Sequence, residues 1–84
     1  MFPVYRKYAH NKTFYKVISK LEMIEIKTLG NTYFVNTINA KILPDRNLIM
    51  DVIENANGFL LDIDEKDYNS FFEHCKITMK KSSF

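Results

Sequence analysis

Glycine and proline are scarce in this chain, two of each among 84 residues; tryptophan is absent and cysteine occurs once. So few turn formers leave little loop, and loops are where catalytic and phosphate-binding groups usually sit. A lone cysteine excludes an internal disulfide. No stretch approaches the roughly 18 to 20 apolar residues that a membrane-spanning helix needs, and Met1 to Lys7 does not resemble a signal segment. The expected place is therefore the cytoplasm, away from the membrane. Solenoid repeats, low-complexity tracts and linker-like stretches are also missing, which predicts one undivided domain over 1–84.

What is present is aromatic: five Tyr and seven Phe within an apolar share of 46%. Each buried ring removes about 150 to 250 Å² from water, so a few large side chains can build the thin core of a short chain. Net charge is only +2, yet it is unevenly spread: residues 1–27 carry +4, residues 28–67 carry −4 and residues 68–84 carry +2. Such a layout orients partners without creating general affinity for polyanions.

Four segments rich in aromatic and β-branched residues come first: Val4 to Ala9, Thr13 to Ser19, Glu22 to Leu29 and Tyr33 to Ile42. They read as an antiparallel meander, with Asn11 and the pair Gly30-Asn31 supplying the positive φ angles of tight hairpins. Of the two faces of the second segment, Phe14 and Ile18 are expected to point inward rather than Tyr15 and Val17. Asn36 falls on the apolar face of the fourth, which predicts either an internal hydrogen bond or a bulge. Pro44 and Asp45 suit a first helical turn, and Leu48, Ile49, Val52, Ile53 and Ala56 follow at the spacing of one helix face, with Asn57-Gly58 as the stop.

Phe59 to Ile63 is short and apolar, a possible fifth strand. Asp64 then resembles an N-cap before a second helix with a buried stripe of Tyr68, Phe71, Phe72, Cys75 and Met79, and the tail from Lys80 to Ser83 is expected to fray. The predicted class is α+β: a four-stranded antiparallel meander with a possible short strand at 59–63 and two C-terminal helices packed on one face.

Little here points to catalysis. His74 and Cys75 are neighbours on a helix, where successive side chains diverge by about 100°, so they cannot form a dyad. Residues 62 to 73 mimic the oxygen spacing of a calcium-binding loop, but Lys66 stands at a ligand position and Asp67 where glycine is needed. Phosphate loops, nucleophile elbows and metal-ligand spacings are lacking, so the expectation is no catalytic residue, no metal, no cofactor and no enzyme. The early strands interleave rings and cations: Tyr5, Arg6 and Tyr8, then Tyr15 and Lys16. On an uncovered sheet face these five would form an interaction surface of contact hot-spot composition, predicting a self-associating module or one that binds another protein. Nucleic-acid binding by the same basic, aromatic strands is the alternative.

Overall fold

A computed structural model of the chain describes residues 2–82. The elements in order are β1 (Val4–Tyr8), β2 (Thr13–Ser19), β3 (Glu22–Leu29), β4 (Thr32–Asn39), α1 (Leu43–Glu54), β5 (Leu60–Asp62), α2 (Glu65–Thr78) and β6 (Lys80–Ser82). The class is α+β, and β1 to β4 form the expected antiparallel meander. Asn11, at φ 60°, and Gly30, at φ 59°, adopt the left-handed conformation their hairpin turns require.

The meander is the centre of a wider, mixed sheet. Strand order is β5-β1-β2-β3-β4-β6, with β5 antiparallel to β1 and β6 parallel to β4. The short run expected at 59–63 is thus a paired edge strand of three residues. The expected fraying of 80–83 is corrected at Lys80–Ser82, which forms the other edge; Ser83 lies outside the described residues. Edges this short offer little template for unwanted strand addition.

Pairing also fixes how the helices lie. Cα partners Phe14–Ile26 and Ile26–Val35 place these side chains on one face, whereas Val17–Met23 and Met23–Ile38 occupy the other. The first face packs against Tyr68, Phe71, Phe72 and Cys75 of α2. The second packs against Ile49, Val52 and Ile53 of α1. The expectation that both helices share one face is therefore corrected: they lie on opposite faces, and the sheet is the middle layer. Connectivity supplies the reason. Strands β4, β5 and β6 run in the same direction; α1 carries the chain from β4 to the far edge, and α2 carries it back. Crossovers between parallel strands share one hand, so two that travel in opposite directions must use opposite faces.

Both faces of β2 are consequently inward. Phe14 on one side and Tyr15 and Val17 on the other are all buried, while Ile18, expected as core, is only half-buried. Asn36 is exposed on a stretch where β3–β4 pairing is uninterrupted, so neither a bulge nor an interior partner accounts for it.

Strand β4 ends at Asn39 rather than continuing to Ile42, and Pro44 occupies the first turn of α1 with Asp45 beside it. The helix stops earlier than Asn57-Gly58 implied: Asn55, at φ 48°, is the left-handed cap, and its N–H donates to the carbonyl of Asp51 at 2.9 Å. Helix α2 begins as expected, with an Asp64 carboxylate oxygen accepting the N–H of Asp67 at 2.8 Å.

Candidate functional site

The five residues expected to share a surface are divided by the sheet. Tyr5 and Lys16 are Cα partners on the α2 side, and the Lys16 ammonium lies 5.8 Å from the Tyr5 ring centroid. Tyr5 is buried against Tyr68, and its hydroxyl donates to Glu65 at 3.0 Å. Burial, reinforced by that carboxylate, raises the Tyr5 phenol above its ordinary pKa. Arg6, Tyr8 and Tyr15 point to the α1 side.

Arg6 is tied into the scaffold. Its Nε donates to the carbonyl of Val52 at 2.8 Å and its Nη2 to that of Ile53 at 2.9 Å, while Nη1 pairs with Asp62. A guanidinium at these carbonyls satisfies acceptors left without intrahelical donors and sits at the negative end of the helix dipole. Asp62 is largely exposed, so its ion pair contributes less than the carbonyl bonds. Arg6 therefore joins β1, β5 and the end of α1.

Tyr8 and Tyr15 meet with ring centroids 6.1 Å apart at 54° and form the corner of a cleft of about 300 Å³. Its other walls are the C-terminal half of α1 and the connection to β5, including Leu48, Asp51, Glu54 and Phe59. The connection is fixed by Asn55, whose side chain donates to the carbonyl of Leu60 at 2.7 Å and accepts that residue's N–H at 3.0 Å. Phe59 is 70% exposed and Leu48 40%, an apolar rim that folding leaves in water. The Tyr15 phenol is held protonated well above its ordinary range, first by burial, then by the charge of Glu25 and the neighbouring Tyr8. The cleft floor is thus neutral and aromatic, and its mouth carries the carboxylates of Asp51 and Glu54.

A second, shallower depression opens on the same side of the sheet. Cα partners Thr13–Lys27 and Lys27–Phe34 form a row there, bordered by His10, Lys12 and Leu29. Lys12 and Lys27 are exposed, as is Leu29 at 74%. The α1 side therefore carries an acidic region with an apolar rim and a basic region with an exposed leucine.

Chemistry elsewhere is limited. Cys75 is fully buried, and burial raises its thiol pKa, so it behaves as a core residue. His74 is exposed, with Nε2 3.3 Å from the Thr78 hydroxyl. Among the described residues, no group of three or more His, Cys, Asp and Glu is arranged to hold a metal ion, and no helix is long and apolar enough to cross a membrane.

Sequence reading missed the cleft because its walls come from residues 8, 15 and 48–60. The available signal was Phe59, a large ring directly after a glycine, outside both helical stripes. No known family model, curated protein or solved structure matches this chain.

Proposed function

We propose that the chain is a small non-enzymatic protein-interaction module that self-associates through its α1 side. The observation that carries this reading is the juxtaposition, on one side of the sheet, of the acidic Asp51 and Glu54 with exposed Leu48 and Phe59, and of the basic Lys12 and Lys27 with exposed Leu29. In a two-fold pair, the acidic region of each protomer faces the basic region of the other, so both contacts form at once. Exposed apolar residues beside each charged region supply the desolvated centre that such contacts need, and the charges fix register. A pair of ordinary size covers about 800 Å² per protomer, roughly a seventh of the 5671 Å² exposed here.

This is a reduced form of the uncovered sheet face expected from the sequence, moved from Tyr5, Arg6, Tyr8, Tyr15 and Lys16 to the regions flanking them. The nucleic-acid alternative draws less support, because Tyr5, Phe14 and Tyr15 are buried and give no open face on which bases could stack.

Sedimentation equilibrium tests the proposal. The expected result is a dimer at low ionic strength that dissociates as salt rises, a monomer for Lys27→Glu, and partial recovery when Glu54→Lys is added to it. A monomer at millimolar concentration in low salt contradicts the reading.

A further inference from the structure

The cleft has a chemistry of its own that applies to the single protomer, beyond the self-association proposed above. Among the described residues its lining contains three aromatic rings, Tyr8, Tyr15 and Phe59, and the carboxylates of Asp51 and Glu54, but no lysine or arginine. A second observation points the same way. These acids occupy the last turn of α1, where the helix dipole disfavours negative charge, and that turn contains no basic residue. The cation serving the helix end is Arg6, which reaches the carbonyls of Val52 and Ile53 and is paired with Asp62. Local stability would place lysine at positions 51 and 54. Acids there lower helix stability and concentrate negative potential at the mouth of an aromatic hollow, and departures of this kind from local rules gather at functional sites.

Ring faces attract cations through their quadrupole, most strongly where water is partly excluded. Tyr15 is buried and closes the floor, half-buried Tyr8 stands beside it with one face stacked on His10, and Phe59 is at the rim. A tyrosine phenol is uncharged near neutral pH, so an entering group meets a neutral floor with carboxylates above. The volume of about 300 Å³ accommodates one long side chain rather than a folded element. Glu25, beside the Tyr15 phenol, adds further negative potential.

We propose that this cleft is a receptor for one organic cation, the alkylammonium or alkylguanidinium end of a lysine or arginine side chain presented by a partner protein. The aliphatic stem lies along Leu48 and Phe59, and the charged head sits beside Tyr8 within reach of Asp51 and Glu54.

The test is a titration of the ¹⁵N-labelled chain with n-butylammonium and n-butylguanidinium, with butyrate of the same chain length as control, followed by amide shifts. Both cations are expected to saturate at about millimolar concentration and to shift residues 48–60 together with Tyr8 and Tyr15, while butyrate does not. Asp51→Asn with Glu54→Gln, at two exposed positions, is expected to weaken cation binding about five- to tenfold with the remaining spectrum unchanged. Phe59→Ala, at the exposed rim, should weaken it about threefold. Equal shifts with butyrate, or undiminished cation binding in the double variant, overturn the proposal. Repeating the titration with Lys27→Glu separates the two proposals: cation binding by this monomeric variant supports the pocket whatever becomes of pairing, and a monomeric variant whose open cleft ignores both cations refutes the pocket alone.

Discussion

The two helices cover opposite faces of one sheet, but they do so with different materials. Under α2 the core is aromatic, with Tyr5, Phe14, Tyr33 and Tyr68 buried and Phe71 and Phe72 packed against them; Phe14 and Phe71 stack at 3.7 Å. Under α1 it is mainly aliphatic, built on Val17, Met23, Ile49 and Val52. Helix α2 has a side-chain N-cap, acids in its first turn and Lys76 in its last, all favourable to its dipole. Helix α1 has no side-chain N-cap bond, no basic residue in its last turn and two acids at its end, and it borrows Arg6 from β1 as a brace. One helix obeys local rules and closes its face. The other departs from them where the cleft opens, so the α1 side is the side that carries the proposed contacts.

The comparison can be broken most forcefully at the two cores. Phe14→Ala removes a ring stacked under α2 and is expected to cost about 3 to 5 kcal/mol, against about 2 to 5 kcal/mol for Ile49→Ala under α1. Urea unfolding followed by circular dichroism measures both. If either variant is neutral, the corresponding helix does not hold its face. Arg6→Met keeps the aliphatic stem and removes the guanidinium, and a loss of about 2 to 3 kcal/mol is expected in the same assay. Hydrogen exchange should then quicken first at Val52 to Asn55, because the brace acts on the end of α1; uniform loosening would contradict that role.

Helix α2 yields smaller effects. Asp64→Ala removes its cap bond and is expected to cost about 1 kcal/mol. Tyr68→Phe sharpens the account from the opposite direction. The Tyr68 hydroxyl is buried without a hydrogen-bond partner among the described residues, and burial pushes its pKa up to about 12 from the ordinary value of 10.0. Its removal is expected to be neutral or to stabilise by up to about 1 kcal/mol. The raised pKa also sets a pH dependence. A protonated phenol is favoured in the folded state, so its contribution is complete below pH 10.0 and is lost as pH rises toward about 12. Phenolate absorbance during alkaline titration should show Tyr68 ionising late, and Tyr68→Phe should flatten the stability loss across that interval.

Much of this architecture was legible in the residues. The meander, the cap at Asp64 and the stripe of α2 follow from local signals: alternation, turn formers and a carboxylate three residues before an N–H. The side taken by each helix was not legible, because Thr13, Phe14 and Tyr15 are consecutive and all buried, and a strand covered on both faces loses the alternation that would mark one as outer. Lys80-Lys81-Ser82 reads as a solvated tail, and only its pairing with Thr32 to Phe34 reveals a strand. Arg6 resembled a surface cation until the fold brought it to carbonyls 46 and 47 residues away. For the same reason the five residues expected to form one surface are split: alternation along β1 and β2 sends neighbours to opposite sides.

Nuclear Overhauser contacts from the Ile49 and Phe72 side chains report which face of the sheet each helix covers, and hence whether the sheet separates them. Ile49 is expected to contact Val17 and Met23, Phe72 to contact the core around Ile26, and α1 and α2 to share no contact. Contacts from Ile49 to Ile26, or between Ile49 and Phe72, would place both helices on one face and contradict that separation.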